Sequence, residues 1–212
     1  MTRSQRGRFI VFEGIDASGK STQARRLAHM LERSGREVHL TAEPTTGPVG
    51  ALIRQAFSGR VPLDDRVIAA LFVADRIDHL TNEHDGVLAS LERGIDVISD
   101  RYYLSSLAYH SGDVSMDWVS GANELSTDLL RPDITVYLDL DPELAFARLQ
   151  QRTERADKFE VRDRLVSAHQ NYERAISFLR EKDQIRIVPA DGHPDEVFSL
   201  VSAALDDWLP PA

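Results

Sequence analysis

One octapeptide constrains this chain more than any other feature: GIDASGKS, Gly14–Ser21, lies between an apolar run and an Ala- and Leu-rich stretch. It matches G-x-x-x-x-G-K-[ST] at every fixed position. The flanking residues predict a buried strand over Phe9–Glu13 and a helix over Ser18–Arg33. A glycine loop between a strand and a helix presents backbone N–H groups and a helix N-terminus to an anion. The segment therefore predicts a loop that binds the phosphates of a nucleoside triphosphate, and it leaves the acceptor unidentified.

The residues of this loop have distinct expected roles. Gly14 and Gly19 permit the tight turn and allow the backbone to approach a phosphate closely. Lys20 can reach the β- and γ-phosphates, and Ser21 can ligate Mg²⁺. The residues expected to bind the nucleotide are Gly14, Ile15, Asp16, Ala17, Ser18, Gly19, Lys20, Ser21 and Thr22.

The rest of the chain alternates strands with helices, which predicts an α/β fold with a five-stranded, mainly parallel sheet flanked by helices. The expected strands are 9–13, 37–41, 95–99, 133–140 and 185–190. The expected helices are 18–33, 51–57, 64–83, 87–93, 104–110, 117–130, one that opens at Asp141-Pro142, 162–180 and 193–208. Because the 212 residues contain no repeat or linker, we expect a single domain over residues 1–212.

Composition narrows the classes of partner. The formal net charge is −9 and there are no cysteines, which disfavours nonspecific nucleic-acid binding and excludes disulfides. No run approaches the roughly 18–20 apolar residues of a membrane span. The apolar run after the basic start MTRSQRGR is too short for a signal peptide. We therefore expect a cytoplasmic protein with no nucleic-acid or membrane partner, in which local clusters of Arg and Lys bind anionic ligands.

A second polar pair follows the third expected strand. Asp100 and Arg101 come directly after IDVIS, so they fall at the carboxyl end of that strand, where open α/β sheets bind ligands. Asp100 is a candidate for holding Mg²⁺, usually through water. Arg101 has the geometry to bind a phosphate oxygen.

Three segments carry a specific resemblance: FEGIDASGKST, LFVADRIDH and DRYYLSSLAY. Together they resemble the thymidylate kinase family, and the similarity runs in order over nearly the whole chain. The resemblance implies a P-loop NTPase fold, transfer of the γ-phosphate of ATP to dTMP with Mg²⁺, and a homodimer. Another P-loop deoxynucleotide or deoxynucleoside kinase is the nearest alternative. A nucleotide-controlled binding module is the other alternative, although the chain lacks a guanine-reading N-K-x-D pattern.

The resemblance also implies which residues bind the thymine. Phe72 matches the aromatic residue that stacks on the base, and Arg76, one helical turn later, matches the donor to a thymine carbonyl. Ser105 and Ser106 fall where the family contacts base and sugar. His110 stands where the family usually has Gln. Because a histidine has an ordinary pKa of about 6.5, we expect dTMP affinity to weaken between about pH 7.5 and 5.5 as His110 protonates.

Other matched residues surround the phosphates of the acceptor. Arg54 matches the arginine that holds the dTMP phosphate, whereas Asp16 and Glu43 match carboxylates near its sugar and phosphate. The segment AEPTTGP departs from REPGGTP, which the family often has: Ala42 replaces Arg, and Thr45 and Thr46 replace two glycines. This departure changes the residues that cover the acceptor.

A positioned arginine typically contributes about 10³–10⁵ in rate to phosphoryl transfer, and some family members carry one inside the loop where this chain has Ala17. The charged segment RLQQRTERADKFE is expected to supply it from a mobile lid at about 148–160, as in the bacterial pattern. The expected catalytic residues are Asp16, Lys20, Arg101, Arg148, Arg152 and Arg155. No base with a shifted pKa is expected, because the attacking phosphate is already an anion.

Overall fold

A computed structural model describes residues 6–112, 114–151 and 158–208. Within these ranges five strands form one sheet in the order β2-β3-β1-β4-β5, and every neighbouring pair is parallel. The strands are β1 Phe9–Glu13, β2 Val38–Ala42, β3 Asp96–Asp100, β4 Ile134–Asp139 and β5 Ile185–Pro189. The predicted α/β fold with five strands is thus confirmed.

The helices lie close to their predicted positions. They are α1 Lys20–Arg33, α2 Pro48–Phe57, α3 Asp65–Thr81, α4 Val87–Glu92, α5 Tyr103–His110, α6 Met116–Ala122, α7 Glu124–Leu129, α8 Pro142–Gln150, α9 Lys158–Leu179 and α10 Pro194–Ala204. Asp64 and Asp141 cap α3 and α8 by accepting a backbone N–H of the first turn. Within the described residues no helix is long and apolar enough to cross a membrane.

One predicted helix is divided. The helix expected over residues 117–130 is instead α6 and α7, separated at Asn123. The Asn123 side chain is buried; its amide donates to the carbonyl of Val119 and its oxygen accepts from Arg76. An asparagine that bonds nearby backbone competes with helical hydrogen bonding, which accounts for the break.

The expected site lies at the carboxyl ends of the central strands of the sheet. The whole of β1 is buried, and so is β4 up to Leu138. Parallel register sets Phe12 opposite Asp100 and Glu13 opposite Tyr137. The carboxyl ends of the three central strands therefore meet directly before the phosphate loop and before Arg101.

Candidate active site

The phosphate loop has the backbone that its sequence predicts. Gly14 and Gly19 have φ angles of 145° and 98°, in the region that favours glycine. A Cβ on Gly14 would also approach the Leu138 carbonyl oxygen to 2.7 Å. Ala17, at φ 63°, is a non-glycine residue in the left-handed region, a conformation that costs on the order of 1–3 kcal/mol and occurs mainly at functional sites.

Lys20 is buried inside the loop. Its ammonium Nζ donates to the carbonyl of Ile15 at 2.9 Å. Burial and the positive charge of Arg101 lower the pKa of Lys20 to about 8, although neighbouring carboxylates partly offset them. Among the described residues no carboxylate lies within ion-pair distance of the Lys20 ammonium, so a phosphate that entered the loop would favour its charged form.

Ser21 and Asp100 lie together, as expected for a metal site. The Ser21 hydroxyl donates to Oδ2 of Asp100, whereas Oδ1 of Asp100 is buried and has no partner among the described residues. An orphaned buried carboxylate oxygen next to a hydroxyl fits a Mg²⁺ site. Mg²⁺ commonly takes only one or two protein ligands and completes its shell with water and substrate phosphates.

Arg101 connects the two halves of the site. Its backbone has φ 80°, and one guanidinium nitrogen donates to the carboxylate of Asp16 in the phosphate loop. The guanidinium also lies 4.9 Å from the centre of the Tyr109 ring, and Nη1 donates to Oγ of Ser105 at 3.0 Å. Burial opposes ionisation of Asp16, yet the charges of Arg101 and Lys20 outweigh it and hold the Asp16 pKa below its ordinary value.

The aromatic wall lies between α3 and α5. The Phe72 ring is half-buried, with centroids 5.2 Å from His110 and 6.1 Å from Phe57. Phe72 is thus an intermediate-exposure aromatic residue between two other rings, Phe57 and His110. Stacking of a thymine on Phe72 stays a prediction.

His110 differs from the sequence expectation in its protonation. It is 8% exposed, and burial together with the charge of Arg76 lowers its pKa to about 4. The expectation that His110 titrates near pH 6.5 is wrong for this physical reason, so protonation of His110 no longer supplies a cause for weaker dTMP binding between pH 7.5 and 5.5. That the neutral ring contacts the base stays a prediction.

Arg76 is fully buried and already has several partners. Its Nε donates to Oε2 of Glu43 at 3.0 Å, Nη2 donates to the same oxygen at 2.5 Å, and Nη1 donates to Ser106 and Asn123. His79 contacts the other oxygen of Glu43 at 3.2 Å. Burial disfavours the charge of Glu43, but Arg76 and His79 outweigh it and lower the pKa. Glu43 thus orients Arg76, and four of the five guanidinium N–H groups have partners among the described residues.

The departure AEPTTGP has a structural explanation. The Thr45 hydroxyl and backbone N–H donate to the two oxygens of buried Asp75, at 2.6 and 2.8 Å. A glycine could supply only the backbone contact. Arg54 is exposed and donates to the carbonyls of Pro44 and Thr45, so it lies beside this segment, where an entering phosphate could reach it.

The expected lid arginines are described only in part. Arg148 donates to the carbonyls of Ala17, Ala190 and Asp191 at 3.1 to 3.3 Å, which links α8 to the phosphate loop and to the segment after β5. Arg152 and Arg155 lie outside the described residues.

Sequence reasoning missed three residues that the structure brings to the site. Glu13 and Tyr172 lie behind Arg101, and Tyr109 lies against its guanidinium. Glu13 directly precedes the loop motif, which was a usable signal. Tyr172 comes from α9, and no local pattern marks it.

A parallel sheet with a phosphate loop after its central strand, an Asp–Ser pair fit for Mg²⁺ and an opposed arginine define a P-loop phosphotransferase that acts on nucleotides. Sequence comparison specifies the family. The thymidylate kinase family model matches residues 12–201. A thymidylate kinase of Leptospira borgpetersenii is 37% identical over 190 residues, which cover 89% of this chain and 88% of the relative.

Two further relatives agree. A thymidylate kinase of Bifidobacterium longum subsp. infantis is 34% identical, covering 96% of this chain and 88% of the relative. A probable thymidylate kinase of Pyrococcus abyssi is 36% identical, covering 96% and 98%. This chain belongs to the thymidylate kinase family.

Proposed function

We propose that this chain transfers the γ-phosphate of ATP to dTMP, giving dTDP and ADP for nucleotide biosynthesis, in a Mg²⁺-dependent reaction. An oxygen of the dTMP phosphate attacks the γ-phosphorus, and the bond from that phosphorus to the β,γ-bridging oxygen breaks. The contact between Arg101 and Asp16 carries the proposal, because it joins the donor loop to the acceptor side of the site. The proposal includes a single domain over residues 1–212, with a lid segment at about 148–160.

The donor side is assigned to the phosphate loop. Lys20 exchanges its contact with the Ile15 carbonyl for the β- and γ-phosphates. Mg²⁺, held by Ser21 and Asp100, would neutralise charge that develops on the phosphate oxygens. Arg148 orients the loop through the Ala17 carbonyl. Arg152 and Arg155 are the remaining candidates for an arginine that acts in the transition state.

The acceptor side is assigned to α2, α3 and α5. Phe72 stacks on the thymine, Arg76 donates to it, and Ser106 and neutral His110 complete the base pocket. Arg54 and Arg101 bind the acceptor phosphate, and Asp16 holds Arg101 between the two phosphates. Since the acceptor is already an anion, catalysis rests on alignment and charge stabilisation rather than on proton abstraction.

Quantifying ADP and dTDP from the purified chain tests this function and its nearest alternative together. With ATP and Mg²⁺, dTMP should give ADP and dTDP in equal amounts, and thymidine should give neither dTMP nor ADP above background. Chelation of Mg²⁺ should abolish the reaction. Turnover of thymidine in preference to dTMP would assign a nucleoside kinase, and turnover without divalent metal would remove the Ser21–Asp100 assignment.

The proposal extends to assembly and location. A homodimer is supported by the exposed apolar side chains of Phe57 on α2, Val67 on α3 and Trp118 on α6. A cytoplasmic location is proposed from the sequence alone. Light scattering coupled to size-exclusion chromatography should give twice the monomer mass of 23.8 kDa, and a monomer mass would refute the dimer.

A further inference from the structure

Glu13 is a buried carboxylate for which the phosphoryl-transfer steps above provide no role. It is the last residue of β1, with 0% exposure. Its Oε1 accepts from the backbone N–H groups of Tyr102 and Ser105 at 2.8 and 3.1 Å. Its Oε2 accepts from the hydroxyls of Ser105 and Tyr172 at 2.6 and 2.9 Å. A buried acid with four donors is fully satisfied and strongly oriented.

The backbone contacts make Glu13 the cap of α5. Tyr102 precedes the helix and offers no side-chain cap of its own. Glu13 instead accepts the N–H of Ser105, the donor that a capping side chain usually satisfies. A negative charge is also favoured at the first turn of a helix. Glu13 therefore fixes the start of α5 to the end of β1. Arg101, which directly precedes Tyr102, is fixed with it.

The hydroxyl contacts lead from Glu13 to the guanidinium of Arg101. Ser105 Oγ donates to Glu13 and accepts from Nη1 of Arg101 at 3.0 Å. Tyr172, also fully buried, lies 2.8 Å from the same Ser105 hydroxyl. Only short, oriented bonds separate the carboxylate from the arginine, and the two charges attract directly as well.

Arg101 needs such support because its backbone is in an unfavourable conformation. At φ 80° a non-glycine residue persists only where the surroundings hold it. The Phe12 carbonyl accepts its N–H at 2.9 Å, and the Ser99 hydroxyl donates to its carbonyl at 2.8 Å. Those contacts hold the backbone, and the Glu13 network holds the side chain.

We propose that Glu13 is a positioning residue for phosphoryl transfer, which fixes the guanidinium of Arg101 between the two phosphates through Ser105 and Tyr172. The inference rests on the proposed function of the site. Burial raises the pKa of Glu13, although its hydrogen bonds and Arg101 oppose that shift. The role requires that both carboxylate oxygens accept hydrogen bonds, whereas a glutamine side chain has only one accepting oxygen.

Glu13→Gln tests this role with little loss of structure. The amide oxygen can still cap α5, and the hydroxyls of Ser105 and Tyr172 can rotate to accept from the amide nitrogen. The negative charge is lost, and the Ser105 hydroxyl is reoriented toward Arg101. We expect kcat for dTMP to fall about 10- to 100-fold, since a displacement near 1 Å can cost about 10²-fold. The KM for dTMP should change less than about 3-fold.

A double-mutant cycle with Arg101→Lys separates positioning from general loss of structure. If Glu13 acts through Arg101, Glu13→Gln should lower kcat much less in the Arg101→Lys background than in the wild type. Additive losses would mean that Glu13 acts elsewhere, and an unchanged kcat for Glu13→Gln alone would likewise overturn the proposal.

Tyrosine-to-phenylalanine variants provide matched controls. Tyr172→Phe removes one hydroxyl of the network and should lower kcat. Tyr137→Phe removes a buried hydroxyl with no partner among the described residues and should leave kcat unchanged. Equal kcat for both variants would refute the network. If Glu13→Gln fails to fold, Ser105→Ala carries the same test in the same cycle. A wild type that does not phosphorylate dTMP would refute the proposed function instead.

Discussion

Replacing His110 by glutamine should make the protein less sensitive to acid. The native pKa of His110 is about 4, whereas an unfolded histidine has a pKa of about 6.5. Below pH 6.5 the unfolded chain therefore binds a proton that the native chain does not, and native stability falls as the pH falls toward 4. Because pH 5 lies about 1.5 units below the pKa of the unfolded histidine, the unfolding free energy should fall by about 2 kcal/mol at 1.36 kcal/mol per unit.

The assay is urea unfolding of wild type and His110→Gln at pH 8 and pH 5. The drop in unfolding free energy between the two pH values should be about 2 kcal/mol smaller for the variant, because glutamine does not titrate. His29→Gln, at an exposed histidine on α1, is the matched control for the exchange of a histidine for glutamine. Equal drops for wild type and His110→Gln would show that His110 ionises normally and would refute the burial argument.

The remaining predictions concern Arg148 and Thr45. The N–H groups of Arg148 donate to backbone carbonyls, so Arg148→Ala should change kcat less than Arg152→Ala or Arg155→Ala. In steady-state assays with dTMP, one of the latter two variants should lower kcat by about 100-fold or more. A loss of that size for Arg148→Ala alone would contradict this order. Thr45→Gly should lower the unfolding free energy by about 1–3 kcal/mol in urea melts, because buried Asp75 loses a hydroxyl donor; an unchanged value would show that the bond contributes little.

Local patterns predicted the backbone of the phosphate loop and the placement of Asp100 beside it. The fixed positions of the loop motif specify its backbone, so Gly14, Gly19 and Lys20 could be assigned from spacing alone. Asp100 could be placed because the carboxyl ends of parallel strands share one edge. The start of α8 followed from Asp141-Pro142, because Pro is well suited to the first turn of a helix.

Features that depend on contacts distant in sequence could not be predicted. Asn123 is buried at the helix break, where its side-chain oxygen accepts from Arg76, 47 residues away. The low pKa of His110 follows from burial, which no composition reveals. The position of Glu13 before the loop motif marks the residue, but its role depends on α5 and α9, which bring Ser105 and Tyr172 to its oxygens.

The specificity constant kcat/KM for dTMP, dUMP, dGMP and AMP tests the central claim most directly. A thymine pocket formed by Phe72, Arg76 and His110 should make dTMP the best acceptor. The kcat/KM for dUMP should be roughly 10–200-fold lower than that for dTMP, since one methyl group contributes about 1–3 kcal/mol. The purine monophosphates should give no measurable turnover. Phosphorylation of AMP or dGMP with efficiency comparable to dTMP would contradict the assignment of this pocket.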